Sequence, residues 1–305
     1  MSLGCSGTSA NAVGEMRLRF GLGLILSILL IAWTSAGAAQ ATADAGPGPA
    51  QELHWLIPYP GTSVSMHSTM RLPMGKGPFP LVVISHGTSE SERLRHEYAA
   101  PAFDVVSSWF LKRGYAVLLP QRPGHGETGG PYLESSGSCD EALFEQAGNA
   151  TADAVKIAID YAMGYPFVQR APVLLVGHSG GAWGSLALSA ADPQLVRAVI
   201  NFSGGRGGHS YGLPNRNCAP ERLVRAAAVY GRQNNVKTLW LYSANDSFFG
   251  PALSQEMADA FRGAGGSVEY HLLPPIPDDG HYLIFRIEAV PTWGPILDKF
   301  LKALR

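Results

Sequence analysis

Charge of either sign is scarce in this chain. Lys and Arg number 23 against 24 Asp and Glu, a formal net charge of −1, and charged residues make up 15% of the 305 residues. A surface without a basic excess cannot neutralise a row of phosphates, so no nucleic-acid partner is expected. Cysteine is rarer, at 3 residues, and no Cys/His group has the spacing of a zinc site. No G-x-x-x-x-G-K-[ST] run occurs, and the sequence implies neither a metal nor a cofactor. Internal repeats are absent too, which sets aside solenoid and propeller architectures.

Apolar residues are plentiful, at 46%, enough for a sizeable core. Gly at 36 and Pro at 22 point to many turns without reaching low-complexity levels. Arg17 and Arg19 precede the apolar run Phe20 to Trp33, which the small residues of Thr34 to Ala39 follow. That order is the pattern of a secretory signal peptide, expected over 1–39. The run is shorter than the ~20 residues that span a bilayer as a helix, so no stable membrane span is expected once the signal is cleaved. Export to a periplasmic or extracellular compartment follows, and residues 40–50, small and rich in Gly and Pro, read as a flexible tether. In an oxidising compartment Cys139 and Cys218 become candidates for a disulfide. Two unrelated buried thiols remain the alternative.

From residue 51 to 305 the pattern is that of one domain. Short apolar runs at Leu81 to Ile84, Tyr115 to Leu119, Val173 to Val176, Val196 to Phe202, Thr238 to Tyr242 and Val268 to Leu273 read as buried strands. Helix-length segments lie between them: Pro101 to Lys112, Cys139 to Tyr161, Gly181 to Ala191, Pro220 to Val229, Ser254 to Arg262 and Gly294 to Leu304. Alternation of this kind requires crossover connections and builds a mainly parallel sheet covered on both faces, an α/β class. Glu52 to Pro58 and Ser63 to Leu72 read as an antiparallel pair at its edge.

The sharpest local signal is Gly177-His178-Ser179-Gly180-Gly181, a G-x-S-x-G run directly after an apolar strand and before a helix-like segment. Glycines on both sides let the backbone turn sharply and lift the Ser179 hydroxyl above the sheet edge. A serine hydroxyl needs a base, and the base needs an orienting acid. Asp246 follows the strand Thr238 to Tyr242, and His281 follows the strand Val268 to Leu273. Asp278 and Asp279 are rival acids, awkwardly close to His281. An oxyanion needs two backbone donors. Gly180 supplies one, and Thr88, in the turn Ser85-His86-Gly87-Thr88, is placed to supply the other.

Taken in order, ISHGT (84–88), PQRPGHGET (120–128), VGHSGG (176–181), SAND (243–246) and DGH (279–281) resemble the α/β-hydrolase superfamily, and within it the dienelactone-hydrolase-like and small serine esterase branch. The dienelactone hydrolases proper use a cysteine where this chain has Ser179. The resemblance implies an eight-stranded sheet, a triad of Ser179, Asp246 and His281, and an oxyanion hole from Thr88 and Gly180. Arg122 and His125 are candidate substrate-binding residues or, the favoured reading, braces for their loop. The run Gly204-Gly205-Arg206-Gly207-Gly208 reads as a plain turn in preference to an anion nest. Only short segments are available to cover the site, so short-chain carboxylic esters are the expected small-molecule substrates. A peptidase of the same fold and a non-catalytic binding scaffold are the alternatives.

Overall fold

The computed structural model describes residues 51–97, 102–232 and 234–304. The signal peptide and tether expected over 1–50 lie outside the described residues. Eight strands form a single sheet in the order β1-β2-β4-β3-β5-β6-β7-β8. They are β1 (Gln51–Pro58), β2 (Ser65–Leu72), β3 (Leu81–Ser85), β4 (Ala116–Pro120), β5 (Val173–His178), β6 (Val196–Phe202), β7 (Thr238–Ser243) and β8 (Val268–Leu273). Strand β2 runs antiparallel to both β1 and β4, and every pairing from β4 to β8 is parallel. The expected antiparallel edge pair is there.

Strands β3, β4, β5 and β7 are buried at every residue. A strand covered on both faces has no polar side to show, which is why these segments read as continuous apolar runs. Alternate residues enter different layers. Leu81, Val83, Leu118, Leu175, Val199 and Trp240 pack on one face, while Val82, Ile84, Val117, Leu119, Leu174 and Leu239 pack on the other. The first layer is closed by α3 (Phe144–Met163), α4 (Gly180–Ala191), α5 (Pro220–Arg232) and α6 (Pro251–Gly263), and the second by α2 (Asp104–Leu111) and α7 (Val290–Lys302). In α5, Leu223, Ala226, Ala227 and Tyr230 are buried, an i, i+3, i+4, i+7 stripe facing the sheet.

A short helix α1 (Glu92–His96), not expected from the sequence, starts at Ser91, whose side chain accepts from the Leu94 backbone N–H. The start of α3 is a correction. Residues 139–143 are loop, because Cys139 is bonded to Cys218, with the two Cα atoms 5.0 Å apart. This bridge ties the segment after β4 to the segment after β6. Among the described residues those segments carry only the 3-10 turns Gly126–Thr128 and Ser210–Gly212, with no helical lid. No helix of the described residues is long and apolar enough to cross a membrane.

The bridge spans 79 residues of chain, a loop whose closure contributes about 4–5 kcal/mol in the chain-entropy account. Full reduction should therefore lower the melting temperature by roughly 10 °C. An unchanged melting curve with both thiols titrating free would contradict this.

Candidate active site

Three strand ends and one helix start converge at the C-terminal edge of the sheet. Between β5 and α4 a single residue, Ser179, makes the turn, with φ 54° and ψ −123°. A left-handed conformation is costly for a residue with a Cβ, and it persists only where the surroundings dictate it. They do so here by close approach. A Cβ at Gly177 would collide with the backbone of Ala182, and one at Gly181 with the carbonyl oxygens of Ser85 and His86. The Ser179 N–H donates to Phe202 O at 3.1 Å, and its carbonyl accepts from Trp183 N at 3.1 Å. The backbone of the turn is thus satisfied, and the side chain is left at the sheet edge.

Asp246 follows β7 and His281 follows β8, each about 1–2% exposed. His281 Nδ1 lies 3.1 and 3.2 Å from the two carboxylate oxygens of Asp246. A carboxylate can only accept, so Nδ1 carries the proton and Nε2 is left with its lone pair free to take another. Asp246 Oδ1 also accepts from the backbone N–H groups of Phe248 and Phe249, at 2.8 and 2.9 Å. Burial raises the Asp246 carboxyl, but His281 and these donors more than reverse it and hold it below its ordinary value.

The rival acids sit elsewhere. Asp279 Oδ1 accepts from the His281 and Ser247 backbone N–H groups, and Asp278 pairs with Arg286 in the open. Asp279 shapes the loop; it does not bond the imidazole. His178, which the motif reading passed over, donates from Nε2 to His281 O at 2.9 Å. Burial and the neighbouring His281 lower His178 to about 3, so it is a neutral prop under the loop.

The turn after β3 lies against Ser179, since a methyl built on Gly87 would stand 3.2 Å from Ser179 Cβ. Thr88 is next along, and one built on Gly180 would meet the Thr88 methyl at 2.8 Å. The two residues expected to form an oxyanion hole are therefore neighbours. His86 fixes the turn: its Nδ1 donates to Gly87 O at 2.6 Å and its Nε2 accepts from the Arg122 N–H at 3.1 Å.

Of the two expectations for Arg122 and His125, their burial fits the favoured one, a brace for the loop, since both are fully buried. Arg122 Nη1 donates to Ser85 Oγ at 3.0 Å and His86 O at 2.9 Å, and its Nε and Nη2 both bond Glu134. His125 Nδ1 donates to Pro123 O at 3.1 Å, which leaves Nε2 to accept from Thr88 Oγ1 at 2.7 Å. With every outlet spent inside the protein, neither side chain can reach substrate. Both brace the turn that carries Thr88. The spacing Gly124, Gly126, Gly129 in this loop matches G-x-G-x-x-G. It leads into a 3-10 turn, however, and so lacks the helix N-terminus that holds a pyrophosphate.

The glycine run 204–208 is irregular turn, but its Arg206 side chain has a role that the run does not signal: it is 3% exposed and shares the Glu134 carboxylate with Arg122. Burial raises the Glu134 carboxyl, yet the two guanidiniums prevail and hold it well below its ordinary value. This pairing joins residues 72 apart in sequence, and no local signal could have found it.

The family described as alpha/beta hydrolase matches residues 81–301. The chain belongs to that family. A Monkeypox virus protein described as a monoglyceride lipase homolog is 27% identical over 154 residues, which cover 50% of this chain and 46% of that protein. The chain thus matches about half the length of this curated relative. An esterase from Pyrococcus furiosus superposes with a TM-score of 0.58 at 15% identity, over 83% of this chain and 92% of the other. A Klebsiella pneumoniae structure assigned as a dienelactone hydrolase gives 0.55 at 17% identity, over 81% and 97%. At these identities the structures speak for the fold.

The buried histidines set a pH response. Burial lowers His125 to about 4, whereas in the unfolded chain it titrates near 6.5. Between those values the unfolded chain binds more protons, so stability falls as pH drops through the window, on the order of 3 kcal/mol for His125. His178 acts in the same direction. The urea midpoint should be clearly lower at pH 4.5 than at pH 7; equal midpoints would contradict neutral buried imidazoles.

Proposed function

We propose that the protein is an exported serine hydrolase of short-chain carboxylic esters. The observation that carries this reading is Ser179 in a strained turn at the start of α4, with a buried His281–Asp246 pair on the loops that follow β8 and β7 at the same edge of the sheet. His281 Nε2 takes the hydroxyl proton as Ser179 Oγ bonds the ester carbonyl carbon. Asp246 fixes the tautomer and stabilises the imidazolium. The N–H groups of Gly180 and Thr88 receive the negative charge on the carbonyl oxygen. Collapse of that intermediate breaks the bond to the alcohol oxygen, which leaves with the proton from His281. Water then repeats the sequence on the acyl-enzyme and frees Ser179.

The relative described as a lipase homolog favours esters over amides. The Cys139–Cys218 bridge supports export, because disulfides persist in oxidising compartments. Short acyl groups follow from the cover available. Each buried methylene contributes about 0.8 kcal/mol only while there is apolar wall to receive it. The segments 129–143 and 203–219 carry no helix to build such a wall.

A p-nitrophenyl ester series separates the readings. Acetyl to butyryl esters should be turned over best, without activation at lipid interfaces. Ser179→Ala should lower kcat by roughly 10⁴ to 10⁶-fold with the melting temperature little changed. A kcat/KM that climbs through palmitoyl esters would make the protein a lipase, and faster cleavage of a chromogenic dipeptide would favour a peptidase. A Ser179→Ala variant as active as the parent would end the assignment.

A further inference from the structure

We propose that Arg206 is a further positioning residue of the hydrolase, its guanidinium setting the geometry and the local charge of the oxyanion donors at Gly180 and Thr88. The proposal rests on the ester-hydrolase reading above and adds a residue to it.

The guanidinium is held from behind on both terminal nitrogens. Nη2 donates to Glu134 Oε2 at 2.7 Å, Thr151 Oγ1 at 2.6 Å and Ala147 O at 3.4 Å. Nη1 donates to Glu134 O at 3.1 Å and to Tyr132 OH at 3.2 Å. Nε is buried, and no hydrogen-bond partner for it exists among the described residues. That unsatisfied donor lies against Gly180: a Cβ built there would stand 3.3 Å from Arg206 Nε and Cζ. The position after the nucleophile in G-x-S-x-G accepts any side chain. Glycine in this chain opens the space that the Thr88 methyl and the guanidinium fill together.

Arg206 also reaches the second donor. Its Nη1–H bonds Tyr132 OH, which lies 3.2 Å from Thr88 Oγ1, and Thr88 Oγ1 donates in turn to His125 Nε2 at 2.7 Å. The polarity of this chain is fixed at both ends. Arg206 can only donate, and His125 offers only a lone pair because its Nδ1–H is committed to carbonyl oxygens. Thr88 is consequently locked in one rotamer beside Gly180.

In the cluster behind Gly180, apart from the Asp246 carboxylate that pairs with His281, the charges leave a positive surplus of one. Arg122 and Arg206 share a single buried carboxylate, Glu134. Arg95 lies over the Tyr132 ring at 3.7 Å, and Glu90, exposed to water, is 3.5 Å from Tyr132 OH. Water screens Glu90, whereas the Arg206 charge is buried and poorly screened. A fixed positive charge beside a developing oxyanion lowers the barrier without reorganising at the moment of reaction. A buried ion cluster of this kind is weak evidence for stability as such, which leaves its placement at the oxyanion donors to be accounted for.

The experiment compares the full chain with Arg206→Met, Arg206→Lys and Gly180→Ala. It reads kcat and KM for p-nitrophenyl acetate, the melting temperature, and the affinity for a trifluoromethyl ketone, which adds to serine as a tetrahedral oxyanion. Arg206→Met should lower kcat roughly 10- to 100-fold, with KM within about 3-fold, and should weaken the ketone by a similar factor. Arg206→Lys should recover part of both losses. Gly180→Ala puts a methyl 2.8 Å from the Thr88 methyl and 3.3 Å from the guanidinium, and should reproduce the kcat loss with a near-parental melting temperature. Arg206→Lys carries the test if Arg206→Met does not fold, since it keeps the charge but loses the planar fork that bonds Glu134 and Tyr132 together. Parental kcat and ketone affinity in the Met variant, or in Arg206→Lys should the Met variant not fold, would overturn the proposal and leave Arg206 a brace. A parent chain that turns over no ester and binds no ketone would overturn the ester reading itself, a result distinct from loss in the variants alone.

Discussion

Helix α4 begins within touching distance of the end of β3, and that close approach decides the geometry of everything at the sheet edge. The carbonyls of Ser85 and His86 leave no room for a side chain at Gly181. The chain must leave β5 and enter the helix through one residue, Ser179, at positive φ. This presses the serine, the first helical N–H and the turn after β3 together. The same crowding brings Thr88 beside Gly180. Strain at Ser179 is tolerable because the layers on both faces of the sheet hold β5 and α4 rigidly, so the cost is spread over a core that has no slack.

Behind this edge the protein is polar where a core would ordinarily be apolar. Glu134 sits between Arg122 and Arg206, Arg122 bonds the backbone of the turn after β3, and Arg206 packs on the residue after the nucleophile. The carboxylate comes from the segment after β4 and one guanidinium from the segment after β6. The disulfide joins the same two segments through Cys139 and Cys218. Covalent and ionic ties are thus redundant in topology and different in purpose. The bridge restricts the unfolded chain, while the ion cluster joins the two segments through buried side chains behind Gly180.

Much of the architecture could be read from the sequence because its strands are buried on both faces and have no polar alternation to confuse them with helices. Val196 to Phe202 and Val268 to Leu273 coincide with β6 and β8. Helix starts were less legible. Helix α6 begins at Pro251 and α7 has a proline in its first turn; the spacing reading placed both starts later, although proline is well suited to that position. Helix α1 is five residues long, too short to show a period. The placement of Ser179, Asp246 and His281 was readable because each follows a recognisable strand. Arg206 and Glu134 were not, since their pairing depends on two loops meeting in space, and a glycine-flanked arginine looks the same whether it faces water or a buried carboxylate.

The central claim is that Ser179 is the nucleophile of this hydrolase, and active-site labelling tests it most directly. A fluorophosphonate added to the folded protein should phosphonylate one residue, with peptide mass mapping placing the adduct on Ser179, and ester turnover should be lost in proportion to labelling. An adduct on another residue, or full ester turnover with Ser179 quantitatively modified, would contradict the account.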